Sequence, residues 1–428
     1  MVDFSLLNLS ILRMTSNPNK SVYLDSMRLK NTFNKFVKNN SNEIKGIEIY
    51  ENFFVKYYII YSPSFDDYKK DYKPIKRIIK STAMKLTLLL TSIRFGISGI
   101  FNNPWVLYVM SDCHYLVGNQ RLFSMMLFGA ALCMSIIANV ILVREYNYLL
   151  DVLVFLRDIN NYRNHYQLNE KYSKKFGLYS NLMAKYFLYQ PFYSLTIFTS
   201  IILTAPTVFA YMDPKMDFNL CSIIVWNIIT IVFCINFFAI TAGGFGVWVL
   251  TSLYLKYQFK EVREQIDESL RYRNVPLIMD AIFKHTIVSK NTMKLNDLFK
   301  YIIFSLHYIS TPSSYILMFM IHSKDSNQWV RYWAAFTFVL IVIIIFSINL
   351  FCALFSRQAH SSIKHLYSFI TKTKPALHNR IRIMNFIERL SGPDIGFYCL
   401  NLFPINNLEF FQYVVNCIAY YILFLTFI

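Results

Sequence analysis

Three polar side chains near the end of this chain have the types and spacing to act together. They are Gln412, Asn416 and Thr426, in the stretch "NLEFFQYVVNCIAYYILFLTFI". An α-helix advances about 100° per residue. With Gln412 at zero, Asn416 falls at about +40°, Ala419 at about −20°, Leu423 at about +20° and Thr426 at about −40°. The three polar residues therefore share one stripe with Ala419 and Leu423. The bulky Phe411, Tyr413, Tyr421, Phe424 and Phe427 lie mostly off it. Amides aligned on an otherwise apolar helix face either water, as in a pore, or the hydrogen-bonding groups of other helices. Both readings stay open. Glu409 enters this stretch at about +60°. A ring of such acids at a pore mouth would attract cations. A single acid there would simply suit a helix N-terminus.

Other chemistry is harder to find. The seven cysteines (113, 133, 221, 234, 352, 399 and 417) show no metal-ligand spacing. Five lie inside apolar runs and read as core thiols. The eight histidines are scattered apart from His360 and His365, whose five-residue spacing suits helix surface better than a metal site. There is no H-E-x-x-H, G-x-S-x-G, P-loop or glycine-rich dinucleotide turn. The "GGFG" at 243–246 reads as a close helix-packing patch rather than a phosphate cradle. An enzyme is not expected, and neither is a cofactor or a metal.

The elements that must position these residues are membrane helices. The chain has 428 residues, is 55% hydrophobic and 18% aromatic, and has a mean hydropathy of +0.34. Seven apolar runs stand out: Lys85–Met110, Leu122–Val143, Phe187–Tyr211, Leu220–Leu255, Tyr301–Ile321, Tyr332–Phe355 and Pro404–Ile428. Runs of about 20 residues match the hydrocarbon thickness, and the absence of period-2 alternation favours helices over barrel strands. The fourth run is too short for two spans with a turn at its glycines, so one long helix leaving the membrane is expected. "MVDFSLLNLSILRMTS" has no basic n-region and no small-residue cleavage site, so it does not read as a signal peptide.

Charge orients the runs. With the N-terminus inside, segments 1–84, 144–186, 256–300 and 356–403 carry 37 Lys and Arg, against four on the other side. That asymmetry is the positive-inside pattern. It also explains the net charge of +18 without nucleic acid as a partner. The fold expected is an all-α membrane protein with seven transmembrane helices, a cytoplasmic N-terminus, an extracellular C-terminus and cytosolic helical extensions. Its parts are a cytoplasmic segment 1–84, a six-helix bundle 85–355 with extensions, a cytosolic anchor helix and loop 356–403, and a last helix 404–428. Apolar residues at three-to-four spacing in "REYNYLLDVLVFLRDIN" and "KYQFKEVREQIDESLRYRNVPLIMDAIFKHTIV" predict amphipathic helices, either extending the membrane helices or lying on the inner leaflet.

This inverted topology, with long inner loops, short outer ones and no tail after the last span, resembles the insect gustatory receptors, ligand-gated channels related to odorant receptors. That family's last helix carries Thr-Tyr, five hydrophobic residues, then Gln-Phe. Here Ala419-Tyr420, five hydrophobic residues and Thr426-Phe427 occupy those positions, so the Tyr, the Phe and the spacing match while the Thr and Gln do not. "FIERLSGPDIGFYCLNLFPINNLEF" resembles the family's helix, loop and re-entry into the last span. "FKHTIVSKNTMKLNDLFKYIIFS" resembles the region joining its fourth and fifth spans. The resemblance implies a chemoreceptor in the plasma membrane of a sensory neuron, surrounded by lipid. Four subunits, identical or mixed, would surround a cation pathway formed by the last helices, with Gln412, Asn416, Ala419, Leu423 and Thr426 lining it. A small-molecule tastant would open it from a pocket in the outer half of spans two to six. An odorant-receptor-like or non-sensory channel is the alternative. A G-protein-coupled receptor is disfavoured by its opposite N-terminal orientation.

Residues expected at that outer level are Thr207, Tyr211, Trp226, Asn227, Tyr308, Thr311, Ser314, Tyr315, Trp333 and Thr337. Aromatic walls with a few placed polar groups suit a small-molecule pocket. In "HYISTPSSY" the hydroxyls could equally satisfy the backbone carbonyl freed by Pro312. Arg94 is the anomaly of the first run. A charge near mid-bilayer costs at least about 2.5 kcal/mol on insertion scales. It is either partnered by another span or by the ligand, or it snorkels inward from a later-starting span.

Overall fold

The computed structural model describes residues 45–65, 75–101, 120–147, 149–160, 168–212, 220–323, 328–392, 395–400 and 403–406. In the last segment it describes Leu408, Phe411, Gln412, Val415, Asn416, Ile418, Ala419 and Ile422. Among the described residues the regular structure is helical apart from one short hairpin. In order come α1 (Lys45–Lys56), α2 (Ile75–Ile100), α3 (Gln120–Tyr146), α4 (Asp151–Asn160) and α5 (Glu170–Leu182). A π-helical stretch, Met183–Tyr189, then runs into α6 (Gln190–Met212). After it come α7 (Leu220–Tyr272), α8 (Val275–His322), α9 (Gln328–His360), α10 (Ile363–Thr373), α11 (Leu377–Ser391), β1 (Tyr398–Cys399) and β2 (Phe403–Pro404).

The fourth apolar run continues past Leu255 as one 53-residue helix, as the few residues left after its glycines predict. Such a helix is about 80 Å long, far more than a bilayer's hydrocarbon needs. α8 is nearly as long at 48 residues. The two are joined by a sharp corner. Arg273 takes a left-handed conformation (φ 51°), and Asn274 caps α8 by accepting from the Leu277 amide at 3.1 Å. α7 and α8 therefore carry the fold from an apolar end to a second, more polar end. Among the described residues, α2, α3, α7 and a stretch containing α9 (Arg331–Thr373) are long and apolar enough to cross a membrane. Shorter apolar segments lie at Phe192–Thr204 in α6 and Ser313–His322 in α8.

The two ends have separate cores. The larger runs through the bundle. The smaller gathers Val262 and Ile266 of α7, Ile278 and Ala281 of α8, Leu366 and Phe369 of α10, and Ile383, Phe386 and Leu390 of α11. This smaller core makes an anchor layer at the α7–α8 corner. His285 joins it to the rest: its ring meets Phe259 and Phe386 edge-on at 4.9 and 5.0 Å, and Nε2 contacts the Ala359 carbonyl oxygen at 3.0 Å. Burial, with the nearby positive charge of Arg389, lowers the His285 pKa to about 4, so the ring is neutral and Nε2–H donates.

Residues 45–65 are built into the bundle. Ile47, Tyr50, Phe53 and Phe54 put one apolar face of α1 into the core, against α7 at its glycines. A Cβ on Gly246 would come within 2.4 Å of the Tyr50 ring, and one on Gly243 within 3.1 Å of Ile59. The glycine patch is thus a packing site, as its composition predicts, and its partner is the N-terminal helix. The chain after α1 is held by a fully buried carboxylate at the end of α3. Glu145 accepts from the Tyr61 and Ser62 amides at 3.0 and 2.9 Å and from the Ser62 hydroxyl at 2.8 Å. Lys85 donates to the Ile59 carbonyl at 3.3 Å, and Arg77 donates to the Tyr61 carbonyl at 2.9 Å. α2 starts ten residues before the Lys85 read as the edge of the first run, because these cations have partners inside the fold.

Candidate ligand cavity and last segment

One cavity of about 200 Å³ opens among α3, α6, α7, α8 and α9, the helices of the second to sixth apolar runs. Each helix presents a stripe with near-helical repeat: Met126, Ala130, Cys133 and Ile137; Leu195, Thr199 and Leu203; Phe233, Phe237 and Thr241; Ser313 and Leu317; Trp333, Thr337 and Ile341. The walls are aromatic and aliphatic. Trp333 is fixed edge-on against Phe123 at 5.3 Å, and Phe336 against Phe198 at 5.4 Å. Polar lining groups are few, and Thr241 donates to the Phe237 carbonyl of its own helix at 2.8 Å. A ligand with many hydroxyls would leave them desolvated here, at a cost of about 1–3 kcal/mol each. The cavity suits a largely apolar molecule with one or two polar groups.

Of the residues read as pocket candidates, Trp333 and Thr337 line this cavity. Ser314 and Tyr315 follow the lining Ser313 on α8 but do not themselves line it among the described residues. Thr207 and Tyr211 lie on α6, and Tyr308 and Thr311 on α8, but their side chains are outside the described residues. Trp226 and Asn227 are set on α7 away from the cavity, and Trp226 serves a different purpose. Arg94 is 3% exposed, donates to the Thr230 hydroxyl at 2.9 Å and lies 4.9 Å from the Trp226 ring centroid. Thr230 donates in turn to the Trp226 carbonyl at 2.8 Å. The partnered reading of Arg94 is the one observed, with the partner on α7. One turn of helix separates Thr230 from Phe233 in the cavity wall, and Phe233 meets Phe95 of α2 at 6.3 Å. The apolar walls on α3 and α6 were missed. In a membrane chain, a stripe facing a cavity looks like one facing lipid.

α8 leads from this cavity to the last segment. Below Ser313 and Leu317 it reaches Asn296, whose side-chain oxygen accepts from the Tyr398 amide at 2.8 Å, and Lys300, whose carbonyl accepts from Leu400 at 3.3 Å. These bonds seat the β1–β2 hairpin, which pairs Tyr398 with Pro404 and Cys399 with Phe403. The loop before it is held by His360, which donates from Nδ1 to the Leu390 carbonyl at 2.8 Å and accepts from the Ile395 amide at 2.9 Å. His360 is thus a loop clamp rather than plain helix surface, while His365 meets Asp267 at 2.6 Å. Leu408, Gln412, Asn416 and Ala419 are helical and exposed, as are Phe411, Val415, Ile418 and Ile422. The polar pair sits at one edge of an apolar exposed arc about 160° wide. Glu409, Tyr420, Leu423, Thr426 and Phe427 lie outside the described residues. Cys133, Cys234, Cys352 and Cys399 are buried thiols, but Cys221, read as a core thiol, is exposed near the start of α7.

The fold is that of insect olfactory receptors. Two solved structures of olfactory receptor OR5 from Machilis hrabei, one in complex with eugenol and one described without it, superpose with TM-scores of 0.62 and 0.63. Each matches over 84% of this chain and over 92% and 91% of its own, at 12% sequence identity. No protein-family model matches the chain, and no curated protein matches it in sequence.

Proposed function

We propose that this chain is a subunit of a chemoreceptor channel: a non-selective cation channel opened by a small molecule bound in the α3–α9 cavity. In this reading seven helices cross the plasma membrane of a sensory neuron, with the N-terminus inside and the C-terminus outside. Four subunits, identical or mixed, place their last helices around the pathway. Gln412, Asn416, Ala419, Leu423 and Thr426 face the ions, and Glu409 lies at the inner mouth. The observation that carries the reading is a mainly apolar cavity among five helices of a fold shared with olfactory receptors. The exposed face of the last segment supports it, since an apolar arc with two aligned amides suits contact with other copies and with water.

Coupling would run along α8. A ligand pressing on Ser313 and Leu317 biases the tilt of that helix. Asn296 and Lys300 carry the change to the hairpin that begins the last helix. A taste ligand and an odorant are both compatible with this scheme. The sparse polar lining favours an apolar tastant or odorant over a sugar. Cells expressing this chain alone should give ligand-evoked cation current that persists when G proteins are blocked, and a tag after Ile428 should be reached by antibody without permeabilisation. Loss of the current under G-protein block, or a tag reachable only after permeabilisation, contradicts the proposal.

A further inference from the structure

A second cavity, of about 300 Å³, lies at the other end of the bundle between α4, α7 and α8. Three helices each give it one stripe: Asp151, Val154, Phe155 and Asp158 from α4; Tyr254 and Gln258 from α7; Ile287, Asn291, Lys294 and Leu295 from α8. Its floor is apolar and firm. Phe155 packs edge-on against Tyr254 at 5.6 Å, and Tyr254 and Leu295 are 7% and 2% exposed. Its polar groups are of mixed sign, and Gln258 among them is 8% exposed. The space is far more than one bridging water needs.

The charges narrow the occupant. Asp151 and Asp158 are seven residues apart on one face of α4, about 10 Å along the helix, too far to share a metal ion. Arg157 pairs with Asp158 at 3.3 Å, so the two acids, Lys294 and Arg157 sum to zero. A simple cation or anion would meet both signs, whereas a zwitterion can satisfy both. Depth adds a second argument. Tyr254 and Gln258 straddle Leu255, where the apolar run of α7 ends, and Lys294 lies two turns before Tyr301, where that of α8 begins. The cavity therefore sits at headgroup level if these helices span a bilayer.

We propose that this cavity binds a zwitterion carrying a protonated amine and a phosphate, with the amine on the Asp151–Asp158 side and the phosphate on Lys294. Such chemistry is offered by the headgroup of phosphatidylethanolamine and by free phosphoethanolamine. The depth argument rests on the membrane-spanning reading but not on gating, so a chain that conducts no current leaves the site untouched.

The full-length protein in detergent is titrated with short-chain phosphatidylethanolamine, with phosphoethanolamine and with phosphatidylglycerol. Adducts are read by native mass spectrometry and Tm by tryptophan fluorescence. Phosphatidylethanolamine should give one adduct per subunit and a higher Tm, and phosphatidylglycerol should not. Phosphoethanolamine reproducing the shift identifies a soluble zwitterion as sufficient; a shift with the lipid alone assigns the headgroup. Lys294→Gln and Asp151→Asn should each weaken binding by about tenfold or more, the scale of one lost charged hydrogen bond. Val154→Phe, which fills the floor, should abolish it. If that variant does not fold, Lys294→Gln on the exposed rim decides. Equal binding of phosphatidylglycerol, unchanged binding in Lys294→Gln, or no binding of either amine overturns the proposal.

Discussion

The two ends of the molecule solve opposite problems. The α3–α9 cavity is walled by side chains without formal charge, and Thr241 is turned back onto its own helix. The other end buries Glu145, Lys85 and His285, and each holds a backbone group from a distant part of the chain. Apolar walls select by shape and tolerate change, because dispersion contacts are many and individually weak. Buried charged groups fix register and tolerate almost nothing, because a lost partner strands a desolvated one. The cavity end can therefore vary its lining while the polar end keeps the frame.

The sharpest way to break that contrast is to remove one member of the polar cluster. Glu145→Leu leaves the Tyr61 and Ser62 amides and the Ser62 hydroxyl without their buried acceptor and should cost about 3–5 kcal/mol. Folded yield should collapse in fluorescence-detected gel filtration. A cavity-wall change such as Thr241→Val should stay within about 1 kcal/mol.

Acid tests the same end without a mutation. His285 has a folded pKa of about 4 against an ordinary value near 6.5. The unfolded chain therefore takes up a proton first, and the stability held above pH 6.5 is lost as pH falls from 6.5 towards 4. The loss approaches about 3 kcal/mol at its limit. Tm should drop across that window in the native protein, and more shallowly in His285→Phe.

Next in size is the α1–α7 contact. Gly246→Ala places a methyl into Tyr50 and should cost about 1–3 kcal/mol by thermal melting. Gly244→Ala meets nothing within 4 Å and should be neutral or slightly stabilising. Equal effects at the two glycines would deny that α1 docks there. The smallest stability effect is at the hairpin seat. Asn296→Ala should cost about 1 kcal/mol of stability, yet reduce maximal current at saturating ligand if α8 drives the last helix.

The sequence declared some of this plainly. A 36-residue apolar run with only nine residues after its glycines had to be one long helix, and Arg94 stood out because a mid-run charge needs a partner. The helices on either side of the α7–α8 corner were legible from three-to-four spacing in "KYQFKEVREQIDESLRYRNVPLIMDAIFKHTIV", whereas 356–403, expected as one anchor helix and a loop, forms α10, α11 and part of the hairpin. The role of residues 45–65 was not. α1 is only 12 residues long, lies in a charge-rich segment, and finds its glycine partners nearly 200 residues away. Most cavity walls were equally hidden, because polar residues drew attention to Trp226 and Asn227 while the actual lining is ordinary Met, Leu and Phe. Gln412 and Asn416 are exposed on the last segment, but so are Phe411, Val415, Ile418 and Ile422, so exposure does not single out the aligned amides.

The central claim is that the α3–α9 cavity is where a small molecule opens a cation pathway. Whole-cell recording with a panel of small apolar aromatics, on cells expressing this chain or its Thr337→Trp variant at matched surface levels, tests it most directly. The account expects an evoked cation current in the native chain and its loss when the indole fills the cavity. Evoked current of unchanged size and sensitivity in Thr337→Trp, or none in the native chain to any compound, would contradict it.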